Sequence, residues 1–94
     1  MIIAWLPKAI ANRDELIDYI AEENPRAAIE QDDRIEAQVN HLAAHPEIGH
    51  AGRKKGSREL VIARTNFVVI YRVHPKAKRV EIIRVLHTSQ AWSA

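Results

Sequence analysis

Phe67-Val68-Val69-Ile70-Tyr71-Arg72-Val73 decides the fold, because it is dense in β-branched and aromatic residues and holds no breaker. Two similar runs flank it. Arg58 to Ala63 precedes it across Thr65-Asn66, and Arg79 to Leu86 follows it across His74-Pro75-Lys76-Ala77-Lys78, which predicts an antiparallel meander. Strict alternation puts Phe67, Val69, Tyr71 and Val73 on one face of the sheet and Val68, Ile70 and Arg72 on the other. It likewise groups Arg58, Leu60, Ile62 and Arg64 in the first run, and Val80, Ile82, Arg84 and Leu86 in the last. Both faces carry apolar residues, so one is expected to pack on the rest of the chain while the other stays partly exposed. That exposed face is the expected seat of function.

Upstream, Ile2 to Leu6 reads as a short strand that Pro7 ends, and Pro7 suits the first position of a helix. From Lys8 to Glu23, Ile10, Leu16, Ile17, Tyr19 and Ile20 recur at helical spacing around an acidic face. Asn24 caps a second helix with Pro25 at its first position, and Ala28, Ile35, Val39 and Leu42, with Ile29 nearby, mark its stripe through to Ala44. So short a connection predicts an antiparallel helical hairpin. His45-Pro46 stops the second helix, and the segment through Ser57, which holds all three glycines, reads as a loop.

Charge divides along the same line. Residues 1–50 carry four Lys/Arg against ten Asp/Glu, a sum of −6, whereas residues 51–94 carry ten against two, a sum of +8. An acidic helical support under a basic sheet points to an anionic partner. The 94 residues fit one domain, 1–94. The absence of cysteine excludes disulfides and thiolate metal sites and fits a cytoplasmic protein. No apolar stretch reaches the ~18 residues of a membrane span, so no membrane partner is expected.

The densest cationic segment is Gly52-Arg53-Lys54-Lys55-Gly56-Ser57-Arg58, whose glycines let backbone N–H groups approach an anion, although its spacing is not that of a Walker loop. Arg58, Arg64, Arg72 and Arg84 lie in or beside strands, and at least one cross-strand pair with Glu59 or Glu81 is expected. His87, Gln90 and Trp92 follow the last strand, and His87 is placed to act as a general base or as a surface hydrogen-bonding group. His41 and His45 are one turn apart but lack the glutamate of a zinc helix, so neither metal nor cofactor is expected.

Taken in order, Gly52 to Ile62, Phe67 to Val73 and Val80-Glu81-Ile82-Ile83-Arg84-Val85-Leu86-His87 resemble the RelE/ParE superfamily of bacterial toxins. Trp5-x-Pro7-x-Ala9, Tyr19 to Ala28 and the terminal His87-x-x-Gln90-x-Trp92 extend the resemblance over nearly the whole chain. It implies an α+β fold of order β-α-α-β-β-β, a cognate antitoxin that neutralises the toxin in a hetero-oligomer, and growth arrest when the toxin is free. RelE-like members cleave mRNA on the ribosome and ParE-like members inhibit DNA gyrase. This chain has Val68 where the ribonucleases carry a strand arginine, and Trp92 in place of a C-terminal tyrosine. The departures favour the ParE-like, non-enzymatic reading. The alternative is a ribosome-dependent endoribonuclease using His87, Arg64 and Arg84. Residues expected to meet target or antitoxin are Arg53, Lys54, Lys55, Arg58, Arg64, Tyr71, Arg72, Arg84, His87, Gln90 and Trp92.

Overall fold

The fold is that of a computed structural model, which describes the backbone of residues 1–93 and the side chains of residues 1–90. Strand β1 (Ile2–Trp5) leads into α1 (Pro7–Glu23) and α2 (Pro25–Asn40), each helix with its proline in the first turn. Asn24 makes the corner between them. Its N–H donates to the Ile20 carbonyl at 2.9 Å to end α1, and its Oδ1 accepts from the Ala27 N–H at 3.1 Å to begin α2. A side-chain cap of this kind contributes about 1 kcal/mol. Arg13 of α1 ties the hairpin shut, donating to Asp32 Oδ1 and Glu36 Oε2 at 2.7 Å each while its guanidinium lies 4.9 Å over the Trp5 ring. Asp32 and Glu36 are one turn apart, so a single guanidinium reaches both.

The expected second helix through Ala44 is corrected: α2 stops at Asn40, and His41–Ala43 tighten into a 3-10 turn that keeps Leu42 buried. Then come β2 (His50–Ala51), β3 (Arg58–Val61), β4 (Phe67–His74), β5 (Arg79–His87) and a short α3 (Thr88–Ser93). The strands form one sheet in the order β1-β5-β4-β3-β2. The helical hairpin carries the chain from β1 at one edge to β2 at the other, and the meander then brings β5 back beside β1 and parallel to it, while all other pairs are antiparallel. Strand β2, in a segment read as pure loop, pairs His50 with Glu59 and Ala51 with Arg58.

The helices cover the inner face of the sheet. Phe67, Val69 and Tyr71 of β4 join Val80, Ile82 and Val85 of β5 and Ala9, Ile35, Val39 and Leu42 of the helices in one core. Expectation fails at Ile10, Tyr19 and Ile29, which are exposed, Tyr19 by 76 %. The buried residue of α1 is instead Ala9, whose lone methyl suits a helix lying close on the sheet.

Alternation also fails in β5. Tyr71 pairs with Ile82 but Ile70 pairs with Arg84, so Ile83 is an extra residue in the strand. This bulge keeps Val80 and Ile82 inside and turns Arg84 and Leu86 to the outer face, where the cationic head of Arg84 need not be buried. Past the end of β1 the open edge of β5 is met by Asn12 of α1, whose Oδ1 accepts from the Val85 N–H at 3.2 Å and from Arg84 Nε at 2.9 Å. Gln38 of α2 does the same on the β3 side, accepting from the Ala63 N–H at 2.7 Å and donating to its carbonyl at 3.2 Å. Side-chain amides thus satisfy backbone groups that strand pairing leaves open.

Tyr71 is fully buried and fixes the loop before β2. Its hydroxyl donates to the Pro46 carbonyl at 2.8 Å and accepts from the Gly49 N–H at 2.9 Å. Burial raises the Tyr71 pKa, so the hydroxyl stays protonated and able to donate at neutral pH. Arg58 adds a bond from Nη1 to the Gly49 carbonyl at 2.8 Å. A Cβ on Gly49 would stand 2.5 Å from the Tyr71 hydroxyl and 2.8 Å from the Glu59 carbonyl, so no larger residue fits. At the other end of the β4–β5 pair, Glu81 accepts from His74 Nε2 at 2.8 Å and pairs with Arg79 Nη2 at 3.2 Å. The cross-strand partner of a carboxylate here is therefore a histidine; the arginine lies on the same strand.

Gly49→Ala is expected to lower unfolding stability by about 1–3 kcal/mol through overpacking, and Tyr71→Phe by about 1–3 kcal/mol through two unpaired backbone groups. Urea denaturation checks both, and an unchanged midpoint for either variant contradicts the packing described. The hydrogen bond from His74, aided by Arg79, holds the Glu81 carboxyl below its ordinary value of 4.5. Its contribution is therefore complete above the unfolded value and lost as pH falls through the lower folded one. Glu81→Gln should flatten the decline in stability that the native protein shows on acidification below about pH 4.5, and parallel pH profiles for the two proteins would contradict this.

Candidate binding face of the sheet

Register places the outer-face residues. Val61 pairs with Val68 and Val68 with Leu86, Ile70 lies between Glu59 and Arg84, Arg72 faces Glu81, and His74 faces Arg79. The face therefore runs from apolar at one end to basic at the other. Val68 and Leu86 are buried there as a small second cluster, with Ile70 packed against them.

The loop between β2 and β3 leans over this face and has a defined shape. The Gly52 N–H donates to the Ser57 carbonyl at 2.8 Å, and the Ser57 N–H and hydroxyl both donate to the Lys54 carbonyl, at 3.0 and 2.7 Å. Gly56 takes φ +83°, and a Cβ at Gly52 would collide with Ser57 Oγ, so both glycines are structural requirements of this tight tip. Between loop and sheet lies a groove of about 320 Å³. Ile70, Ile83 and Leu86 supply its apolar lining, Arg53, Lys54 and Ser57 come from the loop, and Glu59, Arg72 and Arg84 complete it.

The two carboxylates of the basic half are already engaged. Glu59 is buried and accepts from the Arg53 N–H at 3.4 Å, and Glu81 is held by His74 and Arg79. Arg72 Nη2 donates to the Lys55 carbonyl at 3.4 Å, and its buried Nε, like that of Arg79, has no hydrogen-bond partner among the described residues.

Of the residues expected to bind a partner, Arg53, Lys54, Arg72 and Arg84 meet in this groove. Lys55 is exposed on the same loop, offering its carbonyl to Arg72. Tyr71 is fully buried and does not present a binding surface, whereas Arg58 is half-buried outside this groove, with its Nη1 donating to the Gly49 carbonyl. Arg64 does not continue the face of β3: the strand ends at Val61, and Arg64 sits exposed in the turn to β4 at φ +64°. His87 pairs with Phe67 and meets its ring edge-on at 6.5 Å, which puts it on the side of the inner face. Its Nδ1 is 2.8 Å from the Ser89 hydroxyl and accepts from the Ser89 N–H at 3.2 Å, while Gln90 Oε1 accepts from the His87 N–H at 2.9 Å. His87 and Gln90 together cap α3. The Trp92 side chain lies outside the described residues.

Residue patterns did not single out Glu59, Ile70, Ile83 or Leu86 for the site, nor Asn12 behind it. Strand alternation could place Ile70 on the outer face, but the bulge that brings Arg84 and Leu86 there has no local signal. Among the described residues no three His, Asp or Glu side chains are arranged to hold a metal ion, and no helix is long and apolar enough to cross a membrane.

Residues 3–92 match the family described as ParE toxin of the type II toxin–antitoxin system parDE. The chain is 38 % identical over 90 residues to the toxin candidate Y4kP of Sinorhizobium fredii, covering 96 % of this chain and 91 % of that protein. In structure it is similar to a chain of the chromosomal ParDE system of P. aeruginosa, with TM-score 0.82, 28 % identity and coverage of 93 % and 95 % of the two chains. Similarity to the intact E. coli RelBE toxin–antitoxin complex, at TM-score 0.62, 12 % identity and coverage of 89 % and 92 %, extends to the fold alone. With nearly its whole length matched, the chain belongs to the ParE toxin family of type II toxin–antitoxin systems.

Proposed function

We propose that this protein is a cytoplasmic, single-domain toxin that arrests bacterial growth by binding DNA gyrase, without enzymatic chemistry of its own, and that a cognate antitoxin neutralises it. Membership of the ParE family supports the toxin role. The observation that carries the choice of mechanism is the separation of the candidate ribonuclease groups. Arg84 lines the outer groove, His87 is on the side of Phe67 capping α3, and Arg64 is in the β3–β4 turn. A general base must lie within hydrogen-bonding reach of the proton it moves, next to the groups that stabilise the developing charge. Arg84 and His87 stand on opposite faces of β5, and no hydrogen bond joins any two of the three among the described residues. What the outer face offers instead is cationic groups over an apolar floor, the chemistry of a protein-binding surface. A similar chain occurs in a ParDE module, which supports an antitoxin as partner.

Purified toxin is expected to inhibit supercoiling by gyrase in a dose-dependent way, to lose that effect when the antitoxin is added, and to leave ribosome-bound mRNA intact. His87→Ala is expected to remain toxic on induction in the native host. Unimpeded supercoiling at saturating toxin, together with mRNA cleavage that His87→Ala abolishes, would overturn the reading in favour of the ribonuclease.

A further inference from the structure

We infer that the basic end of the sheet, built by residues 52–57 and 75–78, contacts the phosphate backbone of duplex DNA without reading its sequence. The inference deepens the reading of gyrase as the target, and rests on it for the source of the duplex, which gyrase must hold to act. Topology makes the site. Arg58 opens β3 opposite Tyr71, and His74 ends β4 opposite Arg79, so the β2–β3 loop and the β4–β5 turn stand at the same end of the sheet. Val73 borders both a cavity under the loop, with Gly56 and Ser57, and one against the turn, with Pro75 and Lys76. Exposed Lys54 and Lys55 belong to the loop and exposed Lys76 and Lys78 to the turn, with Arg72 and Arg79 on the strands between them. Both supports are fixed. Ser57 holds the Lys54 carbonyl in the loop, and in the turn the Lys78 N–H donates to the Pro75 carbonyl at 3.1 Å, with Lys78 at φ +51°.

The lining selects the partner. Among the described residues none of the four lysines pairs with a carboxylate: Glu81 is taken by His74 and Arg79, and Glu59 is buried. Lysine is depleted at protein interfaces, which favour aromatic residues, and neither segment holds Phe, Tyr or Trp. That absence also removes the stacking platform on which single strands are held. A membrane surface calls for apolar side chains to insert, yet the exposed large apolar residues, such as Tyr19, Ile29 and Ile48, lie outside both segments. Duplex phosphate asks only for positive charge at a suitable spacing. The loop lies between β2 and β3 and the turn between β4 and β5, two strand spacings or roughly 10 Å apart. This is close to the ~12 Å width of the major groove, so loop and turn can meet phosphates on its two rims. The acidic hairpin covers the opposite face, and the resulting asymmetry of charge turns the basic end toward DNA.

The test follows fluorescence anisotropy of labelled probes with the full chain: two short DNA duplexes of unrelated sequence, a single-stranded RNA and a poly-glutamate. Phosphatidylglycerol vesicles are tested by co-sedimentation. Both duplexes should bind with equal affinity and more tightly than the other probes. Lys76→Gln with Lys78→Gln should reduce the slope of log affinity against log salt by roughly 0.9 for each lysine removed, and Lys54→Gln with Lys55→Gln should do the same. Lys8→Gln with Arg26→Gln removes the same charge from exposed positions on the hairpin and should leave the slope unchanged. Circular dichroism confirms that each variant is folded. No duplex binding at low salt, equal slopes for the three double variants, unequal affinity for the two duplexes, or tighter binding of RNA, poly-glutamate or vesicles overturns the inference. Supercoiling inhibition measured on the same samples separates the two claims: inhibition without duplex binding rejects this inference alone, and lysine-dependent duplex binding without inhibition rejects gyrase as the target alone.

Discussion

One extra residue in β5 sets the character of this molecule. The segment Ile82-Ile83-Arg84-Val85-Leu86 cannot alternate regularly without sending Arg84 into the core beside Ile82, where no carboxylate waits. Burying a lone guanidinium costs several kcal/mol even after relaxation, more than a local break in strand pairing. The strand therefore bulges at Ile83, Val85 replaces Arg84 on the inner face, and Arg84 and Leu86 emerge outside. The same step gives the outer face its mixture of a cation and apolar side chains. It also leaves the Val85 N–H on an open edge, which Asn12 satisfies from the helix behind.

Around that strand, charge and packing are arranged in layers. The −6 half of the chain forms the helical hairpin, held by one arginine shared between Asp32 and Glu36. The +8 half forms the last four strands of the sheet and their loops. Its excess is not spread evenly over a binding surface. Arg58 is spent on the 46–49 loop and Arg79 on Glu81, while Arg53, Lys54, Arg72 and Arg84 converge on one groove. The local arrangement of those cations, with Ile70 and Leu86 among them, says more about a partner than the net charge does.

Elements with strong periodicity were legible in the sequence. The three β-rich runs, the helical hairpin and its Asn24-Pro25 corner are all present within a few residues of the expected limits, because each rests on local preference and burial acting together. What was not legible depends on pairing between distant segments. Two-residue β2 exists because β3 offers it an edge, and the parallel placement of β1 is decided by the hairpin and the meander that returns from the far edge. The bulge answers a conflict between Arg84 and the core that alternation alone cannot express. For the site, the basic residues were visible but their division between lining the groove and holding the structure was not. Tyr71 and Arg58 proved to hold a loop, and His87 to cap a helix, through hydrogen bonds that no motif announces.

The central claim is that the face exposed by the Ile83 bulge is the one through which this toxin acts. Amide hydrogen exchange of the full chain, alone and with gyrase, tests it most directly. Slowed exchange is expected in residues 52–58, 70–72 and 83–86, with little change in α1 and α2. Protection confined to the helical hairpin, with the outer face exchanging as in the free toxin, would contradict it.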